Sequence, residues 1–350
     1  MNLRIKKIVS GFERNKIDAL LVTKDVNISY LTYFSASESW LLILPQKSFY
    51  ITDFRYLLEA KQGLKGITVK RYSKSIYETV LEIAKVMKLR KIGFDDRHLT
   101  VSQYKALSRA CLRQVKLIAI NNLVENLREV KEPAEIQEIK KALKVHAQTL
   151  KFLKGIIKPG ISEFEVCRKL ENYVKSKGYG FSFPSIIASG PNSAFPHARP
   201  TSRRIRNNES VLVDIGIEVN GYKSDLTRIF FLGRIPPLVK KVSDCVKQAQ
   251  QKAIAKIKAG VAVADVDREA RKYLAKHKLD QYFGHSLGHG VGLEIHETPR
   301  LSEHSSAILK EGMIVTVEPG VYLPNQFGIR HEEMILVQKQ EVQVLSGYID

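Results

Sequence analysis

Two stretches of this chain, "IKPGISEFEVCRKLENYVKSK" at residues 157–177 and "IKAGVAVADVDREARKYLAKH" at residues 257–277, align at an offset of 100 residues. Identical residues recur along the alignment, among them the pairs Ile157/Ile257, Gly160/Gly260 and Tyr173/Tyr273. Each copy follows a long helical pattern and precedes strand-like segments that contain glycine. The repeat predicts a domain built from two related halves, with a functional site where the halves meet.

The residues before this repeat alternate between strand and helix patterns. Four runs read as strands: "ALLVT" (19–23), "WLLILP" (40–45), "SFYIT" (48–52) and "KIGFD" (91–95). Residues 75–89 have helical periodicity, and Pro133 suits the first turn of a helix that runs from about Ala134 to Leu153. We therefore expect an α+β protein with an α/β domain over residues 1–126 and a second domain over residues 127–350.

Composition limits the classes of function. The 350 residues are 44% hydrophobic and carry a net charge of +20, but no run of Lys or Arg exceeds two residues, which argues against a nucleic-acid partner. Three widely spaced cysteines are typical of a reducing compartment. No stretch approaches the roughly 18 apolar residues of a membrane span. These features predict a cytoplasmic protein that binds neither nucleic acid nor membrane.

The stretch "SVLVDIGIEVNGYKSDLTRIFF" (210–231) predicts a β-hairpin that presents two carboxylates. Asn220-Gly221 is a strong signal for a two-residue turn, and it sets the register of the flanking strands. In that register Asp214 lies opposite Thr227 and Asp225 opposite Gly216, which is expected to leave open space. Both carboxylates then occupy one face of the hairpin as diagonal neighbours. Two converging carboxylates on an apolar hairpin require a proton or a cation to offset their repulsion.

Two further stretches supply compatible side chains. In "GHSLGHGVGLEIHETP" (284–299), glycines permit close backbone approach and histidines indicate metal or acid–base chemistry. The stretch "GMIVTVEPGVYLPNQFGIRHEEMILV" (312–337) reads as strand, turn, strand, with Glu318 ending the first strand and Glu332 beginning the second. Asp214, Asp225, His289, Glu318 and Glu332 together form an oxygen-rich set with one imidazole. Such a set favours two divalent ions that share carboxylates over a single tetrahedral zinc.

These motifs resemble those of the pita-bread-fold metallopeptidases, in the group of Xaa-Pro aminopeptidases and prolidases. The matching segments occur in family order: "IIASGPNSAFPHARP", "DIGIEVNGYKSDLTR", "GHSLGHGVGLEIHETPRLS", "TVEPGVY" and "GIRHEEMILV". Residues 25–56 resemble the creatinase-like N-terminal domain of the same group. The segment "RHEE" departs from the pattern, because His331 stands where an aliphatic residue is usual.

The resemblance implies a role for each candidate residue. For the metals it implies that Asp214 binds one ion, that Asp225 and Glu332 bridge both, and that His289 and Glu318 complete the second. For the substrate it implies that His296 and His197 contact the peptide and its developing oxyanion, that Glu318 shuttles a proton, and that His285 lies in or behind the substrate pocket. Two arginines extend this set on their own chemistry. Arg300 is suited to bind a free carboxylate after proline, and Arg330 to orient Glu332.

The activity expected from the resemblance is metal-dependent hydrolysis of the N-terminal Xaa-Pro bond of short peptides, as an Xaa-Pro aminopeptidase. The ligand chemistry favours manganese or cobalt, with zinc as an alternative, and the resemblance implies a homodimer. Three alternatives stay open: an Xaa-Pro dipeptidase (prolidase), a non-catalytic peptide-binding module on the same fold, and a metal-free creatinase-like amidinohydrolase. The presence of all five ligand candidates disfavours the last two.

Overall fold

The computed structural model describes residues 1–111 and 114–349. The chain divides into two compact units, Met1–Leu127 and Arg128–Asp350. Among the described residues, the helices are too short or too polar to serve as membrane spans.

In the part of the N-terminal unit that the structure describes, six strands form a mixed sheet in the order β4-β3-β2-β1-β5-β6. The strands are β1 Ala19–Val22, β2 Trp40–Ile43, β3 Ser48–Thr52, β4 Thr68–Arg71, β5 Lys91–Asp95 and β6 Lys116–Ile120. The four predicted strands are therefore confirmed. Strands β4 and β6 were not predicted, and they are the two edges of the sheet. Strand β4 has a single apolar residue, Val69, so no apolar run reveals it. Strand β6 does contain an apolar run, residues 117–120, which sequence reasoning overlooked.

Helices accompany this sheet. They are α1 Leu3–Val9, α2 Phe12–Asn15, α3 Asp25–Thr32, α4 Phe54–Gly63, α5 Ile76–Val86, α6 Val101–Cys111 and α7 Glu125–Arg128. Helix α5 confirms the helix predicted over residues 75–89. It begins where the Ser75 hydroxyl accepts hydrogen bonds from the backbone N–H groups of Tyr77 and Glu78. Its apolar face joins the core that the central strands of the sheet also line.

Among its described residues, the C-terminal unit contains four long helices and thirteen short strands. Its helices are α8 Pro133–Ile156, α9 Glu163–Ser176, α10 Pro237–Lys256 and α11 Val263–Lys276. Its strands are β7 Gly180–Phe181, β8 Ile186–Ser189, β9 Ser210–Ile215, β10 Ile217–Val219, β11 Tyr222–Lys223, β12 Leu226–Phe231, β13 Gly288–Gly290, β14 Glu297–Leu301, β15 Ile314–Val317, β16 Gly320–Leu323, β17 Phe327–Arg330, β18 Glu333–Val337 and β19 Val342–Val344. Helix α8 begins at Pro133, as predicted.

The two halves of this unit repeat the same backbone contacts. The N–H of Gly160 donates to the carbonyl of Ile205 at 2.8 Å, and the N–H of Gly260 donates to that of Leu309 at 2.8 Å. Helices α8 and α9 pack against one apolar core and helices α10 and α11 against another. Gly160 and Gly260 are 100 residues apart, and their bonding partners Ile205 and Leu309 are 104 residues apart. The structure thus has the two related halves that the repeat predicts.

The predicted hairpin is present in the predicted register. Asp214 pairs with Thr227, and Val219 pairs with Tyr222 beside the turn. Asn220-Gly221 has φ values of 51° and 82°, the left-handed conformation that a type I′ turn requires at both positions.

The expectation of open space at Gly216 is wrong. A Cβ built there would lie 2.6 Å from the Phe183 ring and 2.6 Å from the Ser224 carbonyl oxygen. Glycine is needed at this position because the backbone is tightly packed.

The strand–turn–strand pattern predicted for residues 312–337 is also corrected. Four strands, β15 to β18, replace two, because an additional hairpin of β16 and β17 turns at Asn325, where φ is 61°. Strand β15 pairs with β18 directly, so Glu318 and Glu332 still stand at neighbouring strand ends.

Candidate metal and substrate site

Each half of the C-terminal unit contributes two acidic side chains to one cluster. Asp214 lies in β9 and Asp225 immediately precedes β12, while Glu318 follows β15 and Glu332 precedes β18. Asp214, Asp225 and Glu332 are 8%, 5% and 2% exposed. Glu318 is half-buried. Three buried carboxylates beside a fourth are unusual, because each one loses hydration that the protein must replace.

His289 links the acidic residues of the two halves. Its Nε2 lies 3.5 Å from the Asp225 Oδ2 and 3.3 Å from the Glu318 Oε1. Ligand atoms of Asp225, His289 and Glu332 all lie within 4.8 Å of one another. The Nδ1 of His289 lies 3.0 Å from the Gly290 carbonyl oxygen, and a carbonyl accepts only from an N–H. This bond requires a proton on Nδ1 and turns Nε2 toward the carboxylates. In the metal-free chain Nε2 can carry a second proton and donate it to them, whereas its lone pair would face a bound ion.

Arg330 occupies the centre of the hydrogen-bond network behind the acidic residues. Its guanidinium pairs with Asp214 at 2.5 Å and donates to the hydroxyl groups of Tyr322 at 2.6 Å and Thr227 at 2.9 Å. Thr227 in turn donates to Glu332 Oε2 at 2.8 Å. We expected Arg330 to orient Glu332. In the structure Thr227 links Arg330 to Glu332 by hydrogen bonds, and the direct ion pair of Arg330 is with Asp214.

Burial and mutual repulsion perturb the protonation of the cluster. Burial is the largest cause that raises the pKa of Asp225 to about 7, and burial likewise raises the pKa of Glu332 and Asp214. Burial opposes ionisation of Glu318 too, but its bond to His289 lowers its pKa overall. Burial disfavours a charged His289, yet its bonds to Asp225 and Glu318 raise its pKa well above the ordinary value. The cluster therefore has a strong demand for positive charge.

Two buried oxygen atoms show that the described side chains leave part of the negative charge of the cluster uncompensated. The Oδ1 of Asp214 and the Oε1 of Glu332 are buried and have no hydrogen-bond partner among the described residues. An unpartnered buried carboxylate oxygen is costly, and a divalent cation removes that cost for several carboxylates at once. The donor set of four carboxylates and one imidazole thus fits hard or borderline divalent ions.

Three further histidines lie close to the cluster. The rings of His296 and His289 have centroids 4.4 Å apart in an edge-to-face arrangement, and His296 itself is exposed. His285 Nε2 lies 3.1 Å from the Tyr322 hydroxyl. His197 is exposed on the segment after Ala194. Burial raises the pKa of Asp214 and lowers that of His296, and a positive charge on the nearby His197 would oppose the first shift and add to the second.

Arg300 stands directly beside the cluster. It pairs with His289 across strands β13 and β14, and residues paired in an antiparallel ladder project from the same face. Arg300 is exposed, and its positive charge is among the causes that lower the pKa of His296, after burial and the charge of His289. The structure thus brings every residue singled out from the sequence to one region of the C-terminal unit.

Sequence reasoning missed three polar side chains that complete this region. Thr227 bonds Glu332, Tyr322 bonds Arg330, and the Thr316 hydroxyl donates to Glu318 Oε1 at 3.3 Å and accepts from the His289 N–H at 3.0 Å. The hairpin register already placed Thr227 opposite Asp214, so that signal was present. Tyr322 lies in the unpredicted β16–β17 hairpin.

Comparison with known proteins agrees with this geometry. Residues 137–339 match the model of metallopeptidase family M24, and residues 4–130 match the Creatinase/Prolidase N-terminal domain. The chain is 31% identical to an Xaa-Pro dipeptidase of Pyrococcus horikoshii, covering 97% of this chain and 95% of that one. It is 33% identical to a putative Xaa-Pro aminopeptidase of Mycoplasma genitalium, covering 96% and 94%.

A solved structure gives the same result. The Xaa-Pro dipeptidase from Bacillus anthracis superposes with a TM-score of 0.94 at 34% identity, over 98% of this chain and 97% of that one. The M24 match alone spans more than half of the chain. Together with the buried carboxylates and His289, these similarities confirm the family that the motifs indicated. The chain belongs to metallopeptidase family M24 and carries a Creatinase/Prolidase N-terminal domain.

Proposed function

We propose that this chain is a dinuclear metal-dependent peptidase that hydrolyses the Xaa-Pro bond at the N-terminus of short peptides. The buried cluster with two unpartnered carboxylate oxygens, on Asp214 and Glu332, is the observation that carries this proposal. One relative is named an Xaa-Pro dipeptidase and another a putative Xaa-Pro aminopeptidase, and both names refer to the Xaa-Pro bond.

Asp214, Asp225, His289, Glu318 and Glu332 would hold the two ions, with Asp225 and Glu332 shared between them. When bound, the ions supply a hydroxide nucleophile near neutral pH and polarise the scissile carbonyl. Because the set is rich in carboxylate and contains no cysteine, it favours manganese or cobalt over zinc.

The chain itself provides groups for the developing charge and for proton transfer. Burial and the neighbouring His289 lower the pKa of His296, so its neutral imidazole can donate one hydrogen bond to a developing oxyanion. His197 is a second donor. The departing proline nitrogen carries no proton in the peptide and must gain one. Glu318, with its lowered pKa, can take a proton from the attacking water and deliver it to that nitrogen.

Arg300 favours a second candidate, restriction to dipeptides as in a prolidase. In a dipeptide the proline carboxylate is free, and an arginine that projects beside His289 can bind it with two parallel hydrogen bonds. In a longer peptide that carboxylate is replaced by an amide, which offers no negative charge.

A peptide panel separates these activities. Ala-Pro, Ala-Pro-Ala and Ala-Ala are compared with the wild type, with Arg300→Ala, and with Arg268→Ala as a control for loss of an exposed arginine on α11. Dipeptide preference that is lost only in Arg300→Ala identifies a prolidase. Tripeptide preference that Arg300→Ala leaves unchanged identifies an aminopeptidase. Cleavage of Ala-Ala alone would refute the Xaa-Pro proposal.

A further inference from the structure

One fully buried carboxylate outside the cluster joins both ends of the loop that carries His197. Glu163 is 0% exposed and is the first residue of α9. One of its oxygens accepts hydrogen bonds from the N–H and the hydroxyl of Ser189, each at 2.7 Å. The other accepts from the N–H of Thr201 at 2.9 Å and from its hydroxyl at 2.7 Å. Residues 190–200, which we call the His197 loop, are therefore flanked by two residues, Ser189 and Thr201, that both bond the Glu163 carboxylate.

Further bonds connect this loop to the candidate site. The side-chain amide of Asn192, inside the loop, donates to Glu163 at 2.8 Å. The loop carbonyl of Pro196 accepts from Arg330 at 3.2 Å, and the hydroxyl of Ser193 accepts from the Gly328 N–H at 2.8 Å. His197 itself is exposed. Since the tip of the loop is open to solvent, the bonds at its base determine where the imidazole stands.

The other half of the domain shows that the fold does not require a carboxylate at this position. In the repeat, Glu163 corresponds to Val263, which is also 0% exposed. The two residues make equivalent backbone bonds, from Glu163 N to Arg203 O at 3.1 Å and from Val263 N to Ala307 O at 3.0 Å. An apolar side chain fulfils the packing role there. A buried carboxylate costs more than valine unless its hydrogen bonds serve another purpose.

We propose that Glu163 is a positioning residue that fixes the His197 loop for the reaction. It acts through the backbone of the loop, and it contacts neither substrate nor metal ligands. This inference rests on the proposed function, in which His197 contacts the substrate. Displacing a contact of this kind by about 1 Å is sufficient to slow a reaction by about 100-fold.

The test combines Glu163→Gln with His197→Ala. The glutamine keeps the shape but presents an amide N–H₂ to groups that themselves donate. We expect kcat/KM on Ala-Pro peptides to fall about tenfold or more in Glu163→Gln with unchanged metal content. In a His197→Ala background, the same substitution should cost less than about twofold, because the two residues act as one unit. Glu165→Gln is the matched control, since Glu165 lies on the same turn and bonds Ser162 at the start of the helix.

Hydrogen exchange of the amides in residues 190–200 gives a readout independent of activity. Exchange should rise in Glu163→Gln and stay at the wild-type rate in Glu165→Gln. If Glu163→Gln does not fold, Thr201→Val removes one loop-end hydroxyl and should give a smaller change of the same sign. An equal loss of kcat/KM in both backgrounds, or unchanged exchange in the loop, would overturn the inference. Failure of the wild type to cleave Xaa-Pro peptides would instead refute the proposed function, while the exchange data would still report whether Glu163 holds the loop.

Discussion

Burial and neighbouring carboxylates oppose the negative charges of Asp225 and Glu332. Replacement by the amides Asn and Gln removes the charge and keeps the shape of each side chain. We expect Asp225→Asn and Glu332→Gln each to lower kcat by about 100-fold or more, because each removes a ligand that the proposed site shares between its two ions. Neither variant should unfold, since the lost charge is one that burial and neighbouring carboxylates disfavour. Steady-state kinetics, metal analysis and thermal melting check this expectation. Near-full activity with two bound ions in either variant would contradict the assignment of bridging ligands.

The histidines of the site should divide into two classes. His289 bonds Asp225 and Glu318, so His289→Ala should lose bound metal together with activity. His296 contacts the ring of His289 but is itself exposed, so His296→Ala should keep its metal and lose mainly kcat. Metal analysis of both purified variants decides the matter. Equal metal loss in both would show that the division is wrong.

At the scale of elements, the β9–β12 hairpin places Asp214 and Asp225, and its turn should be sensitive to substitution. Gly221 has a φ of 82°, so Gly221→Ala should destabilise the protein by about 1–2 kcal/mol through backbone strain. Gly155 near the end of α8 has open space around its Cβ position, so Gly155→Ala should instead stabilise by about 0.5–1 kcal/mol. Denaturant unfolding of both variants measures the two values. Similar effects in both variants would contradict the importance of the left-handed turn.

Sequence patterns predicted well the elements whose conformation is determined by a few neighbouring residues. The Asn220-Gly221 turn fixed a register, and Pro133 fixed the start of α8. The β16–β17 hairpin was not predicted. All four residues of each strand are buried, so neither strand shows the alternation of exposed and buried residues that reveals a hairpin. The bond from Arg330 to Asp214 joins residues far apart in sequence, and no local pattern specifies such a contact. Likewise, the tight packing at Gly216 depends on Phe183, which lies outside the hairpin.

At the scale of the whole molecule, the cluster joins two halves that each bring negative charge, so metal binding should control pH-dependent stability. The metal-free folded chain holds a proton on Asp225 up to about pH 7, whereas the ordinary carboxyl loses it near pH 3.8. Because the folded state then binds more protons than the unfolded state, stability should fall as pH rises from about 4 to about 7. Bound cations favour the ionised carboxylates and should suppress this fall.

Thermal melting with and without chelator across this pH range measures the effect. Chelation should lower the melting temperature more at pH 8 than at pH 5, and the fall in the metal-free chain should be smaller in Asp225→Asn. A chelator effect of equal size at both pH values would contradict the electrostatic account of the cluster.

The central claim, that metal held by the cluster supports Xaa-Pro hydrolysis, is tested most directly by titrating metal-stripped protein with Mn²⁺ while hydrolysis of Ala-Pro, Ala-Pro-Ala and Ala-Ala is followed. We predict no turnover without metal, a rise that saturates near two ions per chain, and cleavage of the proline peptides far above that of Ala-Ala. Full turnover by the metal-free chain, or equal cleavage of Ala-Ala, would contradict the account.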